Sequence, residues 1–258
     1  MIKKLSLLFA GLLTLFGALT LALTAQAKDW PAPIKALEKQ GIEVIGTFDA
    51  PGGLTGYAGM VEQQPIVVYL TADKKYAIVG PMIDGKGTNL SQQPLEKLVS
   101  KPMTDQVWKD LEKSTWIGDG KSNAPRIVYT FTDPNCPYCN KFWNDARPWV
   151  NSGKVQLRHV MVAILGPTSP GKAAALLAAK DPQAALTQHE KNHAQGGTKP
   201  LSQMPANIRA QLNANEKLMQ QLGAAATPTI FYKDASGNLQ KMQGAPSPDM
   251  LGKIMGPR

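Results

Sequence analysis

Phe131-Thr132-Asp133-Pro134-Asn135-Cys136-Pro137-Tyr138-Cys139-Asn140-Lys141-Phe142-Trp143 holds both cysteines of the 258-residue chain, two residues apart. Ahead of the pair, Ile127-Val128-Tyr129-Thr130-Phe131 is a short apolar run of the kind that forms a strand buried on both faces of a sheet. Behind it, Phe142, Trp143, Ala146, Trp149 and Val150 fall on one face of a helix, which Pro148 is expected to kink. The cysteines therefore lie where a strand hands over to a helix. Disulfide exchange needs a thiolate, and a sulfur in the first turn of a helix faces unsatisfied N–H groups and the positive end of the macrodipole. Cys136 is thus expected to be an exposed, acidic nucleophile, with Pro137 at a first-turn position where its missing N–H has no helical partner. Cys139, nearly a turn further in, is expected to be the more buried and to remain a thiol. A purely structural disulfide is the plainer alternative, but so small a loop gains little chain-entropy stabilisation. Half of a zinc site is the other, and no second cysteine pair exists to complete it.

Outward from this junction toward the C-terminus, Val155 to Val162 reads as the next strand. A largely helical stretch runs from Ser169 to Leu222, broken at Gly196-Gly197. Thr229 to Tyr232 and Leu239 to Met242 form a hairpin across Asp234-Ala235-Ser236-Gly237-Asn238, and Asp249 to Met255 a closing helix. Strand, helix, strand, helical insertion, two strands and a helix is the thioredoxin order. Thr227-Pro228 precedes what is read as an edge strand; an X-Pro bond there can be cis and leaves backbone unpaired for an extended substrate.

Toward the N-terminus the character changes. Lys3 and Lys4 precede an apolar run from Leu5 to Leu23, and Ala25-Gln26-Ala27 has the small-x-small form of a signal-peptidase site. Residues 1–27 are read as a cleaved signal peptide, with an uncleaved anchor as the alternative. Removing them lowers the formal charge from +9 to +7. The excess is spread along the chain without Lys/Arg blocks interleaved with aromatics, which argues against nucleic-acid binding. Residues 28–88 hold a short helix at Ile34 to Gln40, stopped by Gly41. Four strands follow, near Ile42 to Phe48, Tyr57 to Val61, Pro65 to Leu70 and Tyr76 to Val79. A unit of about 60 residues has a marginal core, so it either dimerises or packs on the second domain. Residues 89–118 read as a polar helical linker, broken or kinked at Pro102, that bridges solvent between the domains. Residues 119–258 make the second domain, so the fold class is α+β joined to α/β.

Ile34-Lys35-Ala36-Leu37-Glu38-Lys39-Gln40-Gly41, Thr47-Phe48-Asp49-Ala50-Pro51-Gly52-Gly53, Asp133-Pro134-Asn135-Cys136-Pro137-Tyr138-Cys139, Ala146-Arg147-Pro148-Trp149-Val150 and Asn215-Glu216-Lys217-Leu218-Met219 resemble the DsbC/DsbG family of periplasmic thiol:disulfide interchange proteins, over essentially the whole mature chain. Proline after the first cysteine, and the lack of a second cysteine pair, place the likeness on the DsbG side. The resemblance implies a periplasmic V-shaped homodimer with cystatin-like N-terminal dimerisation domains, long linker helices, and thioredoxin domains facing a cleft for misfolded clients. It implies that Cys136 attacks, that Cys139 resolves, and that Thr227-Pro228 is the substrate-contacting cis-proline loop. It further implies the membrane reductase DsbD as electron donor, and clients that include proteins carrying sulfenic acids. No cofactor is expected. A thiol oxidase using the same site, and a dimeric chaperone whose cysteines only lock the helix, are the rival functions.

His189-Glu190-Lys191-Asn192-His193 matches the zinc-binding pattern H-E-x-x-H, with Glu216 as an available third ligand. Its polar setting is unlike a buried metal helix, so the match is read as accidental and no metal is expected. His159, mid-strand among Val155, Leu157 and Met161, is read as a satisfied, half-buried histidine.

Overall fold

The computed structural model describes residues 29–62 and 64–257. The expected signal peptide lies outside the described residues. The first unit opens with α1 (Ala32–Glu38), whose second position is Pro33, and continues into four strands. These are β1 (Glu43–Asp49), β2 (Thr55–Val61), β3 (Gln64–Leu70) and β4 (Ala77–Val79), an antiparallel meander in chain order. The β1–β2 turn passes through Gly52 and Gly53, both at φ +71°, a backbone region in which glycine pays no Cβ penalty. Ile34 of α1 closes a small core with Ile42, Tyr57, Val68 and Leu70.

The connector is helical from residue 92 to 113. It consists of α2 (Gln92–Leu95), a π-helical turn (Glu96–Ser100) and α3 (Lys101–Lys113). Pro102 is at the second position of α3, and the wide turn lies immediately before it. Proline has no N–H to give and crowds the carbonyl four residues back, so the π turn absorbs the break that the sequence places here. The connector is not a free solvent bridge. Its start is tied to the first sheet by Ser91, whose Oγ meets Tyr69 Oη at 2.5 Å and accepts the Met82 N–H at 2.8 Å. Its end docks on the second sheet, where Leu111 is buried with Tyr129, Phe131 and Val160, and Trp108 stands edge-on to Tyr129. Val107, Trp108 and Leu111 are spaced as one helical face, and so few apolar residues suffice because the sheet completes the contact.

The second sheet has the order β5-β7-β6-β8-β9. Its strands are β5 (Trp116–Asp119), β6 (Arg126–Thr132), β7 (Val155–Met161), β8 (Thr229–Lys233) and β9 (Leu239–Gln243). β6 and β7 are parallel and the other neighbours antiparallel, with β6 central as its apolar run predicts. Two expectations change. Residues 116–118, assigned from sequence to the linker, belong to edge strand β5. The strand after Thr227-Pro228 is not an edge, because β9 lies outside it. Between β6 and β7 runs α4 (Pro137–Asn151), continuous through Pro148. The insertion is α5 (Ser169–Leu177), α6 (Pro182–Lys191), a 3-10 turn (His193–Gln195) and α7 (Ala206–Gln221), and α8 (Pro248–Met255) closes the chain. Phe142, Ala146 and Trp149 of α4 pack with Leu251 and Ile254 of α8 over Val128, Leu157 and Ile230. Met219 of α7 covers the opposite face with Leu111 of α3. The cysteine helix is thereby clamped to the centre of the sheet.

Candidate active site

Cys136 is the N-cap of α4, with extended backbone at φ −82° and ψ 111°, and Pro137 fills the first helical position. Its Sγ accepts the N–H of Cys139 at 3.2 Å and lies 3.3 Å from the carbonyl oxygen of Thr227, to which the thiol can donate. The two cysteines are free thiols. Their acidities diverge. The Cys139 thiol beside it, helped by the Thr227 hydroxyl and the backbone N–H groups of Cys139 and Tyr138, brings Cys136 down to about 6 against the opposing effect of burial. Burial, and then the neighbouring Cys136, push Cys139 well above the ordinary thiol range. At neutral pH one sulfur is a thiolate and the other keeps its proton, which is the division of labour that exchange chemistry requires.

The expected exposure of Cys136 is corrected. It is 1% exposed against 3% for Cys139, because the loop at Thr227 covers its sulfur. That contact spans 91 positions of sequence, so nothing local to the motif reveals it. The Thr227-Pro228 bond is cis. The four residues singled out from sequence, Cys136, Cys139, Thr227 and Pro228, are thus brought to one place.

Sequence reasoning passed over the residues that hold this place. Asp133 is buried at the end of β6 and accepts four hydrogen bonds. They come from the N–H groups of Asn135 (2.8 Å), Ile164 (2.7 Å) and Leu165 (2.9 Å) and from Ser169 Oγ (2.8 Å). An Asp-Pro-Asn run before a helix is an Asx-turn signal that could have suggested it. Asp119 of β5 takes both terminal nitrogens of Arg147 on α4. Burial works against its ionisation, but His159 and Arg147 bring its carboxyl down to about 2. His159 is fully buried rather than half-buried. Its Nδ1 meets Thr132 Oγ1 at 3.0 Å, while Nε2 stands 3.7 Å from Asp119 without a hydrogen bond. In the H-E-x-x-H segment, His189 and Glu190 are buried beside the cysteine loop, not solvated as their polar setting suggests. Glu216 lies elsewhere and accepts the Ala163 N–H at 3.1 Å.

An acidic thiol facing a reluctant one across a single helical turn, at the start of the helix that follows the central strand of this sheet, defines a thiol–disulfide oxidoreductase of the thioredoxin class. A thioredoxin-like domain model matches residues 119–256, and a model of the disulfide bond isomerase N-terminal domain matches residues 22–92. Thiol:disulfide interchange protein DsbG of Pseudomonas aeruginosa is 50% identical, covering 96% of this chain and 98% of that protein. DsbG of Escherichia coli is 49% identical, covering 90% and 94%. A linker-deletion mutant of Proteus mirabilis ScsC shares the fold at a TM-score of 0.50 and 19% identity, over 64% of this chain and 85% of that one. The chain belongs to the DsbG family of thiol:disulfide interchange proteins.

Proposed function

We propose that this protein is a periplasmic homodimer that isomerises and reduces misoxidised client proteins and holds them while they are unfolded. Residues 28–88 form its dimerisation unit and residues 119–258 its catalytic unit. The observation that carries this reading is the pair of free cysteines at the start of α4, Cys136 Sγ accepting the N–H of Cys139 one turn further in, with the two acidities displaced in opposite directions. The Cys136 thiolate attacks one sulfur of a wrong client disulfide, forming a mixed disulfide and releasing the other client sulfur as a thiolate. A different client cysteine, as thiolate, then attacks the client sulfur of the mixed disulfide, forming the new client disulfide and expelling Cys136 as a thiolate, which completes an isomerisation. Alternatively Cys139 gives up its proton and attacks Cys136, which frees the reduced client and leaves a Cys136–Cys139 disulfide. With a sulfenic acid the same attack expels hydroxide, which leaves as water once protonated. The resulting disulfide is then reduced from outside, a role suited to the membrane reductase DsbD. Thr227-Pro228 contacts the client backbone.

Export rests on the signal-like residues 1–27. Client holding is supported by the exposed Tyr138, Ile164 and Leu165 around the cysteine loop, an apolar rim on which unfolded chain can settle. The test is Cys139→Ser in cells, with adducts resolved on non-reducing gels. Mixed disulfides should accumulate with this variant and vanish when Cys136→Ser is added. Absence of adducts, or a wild-type protein found as an oxidised monomer, would overturn the reading.

A further inference from the structure

Between β6 and α4 the chain passes through Asp133, Pro134 and Asn135, and the helical insertion holds every one of them. Ser169 Oγ donates to Asp133. Lys172 Nζ donates to Asn135 Oδ1 at 2.8 Å, while Asn135 Nδ2 donates to Thr168 Oγ1 and Ser169 Oγ at 2.9 and 2.8 Å. Pro134, between them, has no N–H, so its carbonyl is its one strong hydrogen-bonding group. His189 Nε2 lies 2.9 Å from that oxygen. The Thr198 N–H donates to His189 Nδ1 at 3.0 Å, which requires a bare Nδ1 and places the ring proton on Nε2, pointing at Pro134.

The seat of this imidazole is built for it. His189 is 1% exposed, and a Cβ at Gly197, where φ is +64°, would stand 2.4 Å from Nδ1. Only glycine lets the chain wrap the ring this closely and in this backbone conformation. Burial pushes the imidazole down against Glu190 and the Pro134 carbonyl, which pull the other way, and His193 and Lys172 add to the effect of burial, so the ring is neutral at neutral pH and keeps this tautomer. The next residue, Glu190, grips the far side of the nucleophile. Asn140 Nδ2, one turn into α4, donates to Glu190 Oε2 at 2.7 Å and to its carbonyl at 2.8 Å.

We propose that His189 is a positioning residue for Cys136, fixing the Pro134 carbonyl so that the turn closed by the Cys136 N–H on Asp133 presents Sγ to the Cys139 N–H. Glu190 holds the other flank. The H-E-x-x-H match is then a clamp on the cysteine loop. The inference rests on Cys136 being the reactive thiol, but its test reads thiolate formation and needs no client.

The experiment is a pH titration of the 240 nm thiolate absorbance of the full, reduced protein. His189→Gln keeps an amide donor near the Nε2 position and should titrate near the wild-type value. His189→Asn, whose amide replaces only Nδ1, and His189→Leu should shift the midpoint up by about one unit, a tenfold lower thiolate-to-thiol ratio at a given pH. Gly197→Ala, which pushes the ring off its seat without changing its chemistry, should shift it the same way and serves if the Leu variant does not fold. Folded Asn and Gly197→Ala variants with the wild-type midpoint would overturn the proposal. So would a Gln variant shifted as far as Asn, which would reduce His189 to packing.

Discussion

Cys136 illustrates how far one residue's chemistry depends on its surroundings. A sulfur that is 1% exposed should by burial alone be a poor thiolate, yet the donors gathered on it outweigh that cost. The consequence is measurable. Alkylation of the reduced protein by iodoacetamide should follow a sigmoid in pH centred at about 6, falling about tenfold below its plateau at pH 5, with Cys139 left unmodified. A midpoint at pH 8 or above would show that the donors are not in place. At this scale the motif was legible because Cys136, Pro137 and Cys139 act on one another through one helical turn. His189 was not, since the value of a histidine lies in what faces it, and Pro134 is 55 positions away.

Among the elements, α4 shows how the catalytic helix is secured along its length. Arg147, about three turns after Cys136, bonds Asp119 on β5 with two nitrogens and the Trp143 carbonyl with Nε, and its guanidinium lies 4.0 Å from the Trp143 ring centroid. Arg147→Ala strands the Asp119 carboxylate in a buried site and should cost about 3 kcal/mol in urea unfolding at pH 7. Because the Asp119 acidity is raised in the folded protein, the stability it contributes is present above the ordinary aspartate value near 4. It is lost as pH falls through about 2, so the gap between wild type and variant should close across that interval. Strand β5 was illegible for a related reason. Four residues of an edge strand, Trp116-Ile117-Gly118-Asp119, carry too little alternation to stand out from a preceding helix, and only pairing with β7 declares them. α4 was plain from its apolar face, which the sheet later covers.

For the molecule as a whole, the first unit exposes the side chains that a solitary domain would hide. β4 pairs with β3 along one edge, its other edge has no partner strand among the described residues, and Ile78 and Val79 on it, with Tyr76 just before it, stand exposed. An apolar edge strand of this kind is a template for pairing with another chain. Ile78 is 55% exposed, so Ile78→Asp is readily solvated in a lone subunit but not between two. It should convert a two-chain species to a one-chain species in sedimentation while leaving the Cys136 titration unchanged; a variant that stays dimeric would move the interface elsewhere. The small size of this unit left dimerisation and packing on the second domain equally open, whereas the identity of its free edge depends on strand order. The wide turn at Glu96–Ser100 acts at the same scale. Each α-helical residue advances the chain by about 100°, so a helix is an indexing shaft as well as a spacer. One surplus residue in that turn sets the azimuth at which everything beyond Lys101 emerges. The direction in which the dithiol looks relative to the first sheet is therefore dialled in some 40 residues before the first cysteine, by a proline that the helix had to step around.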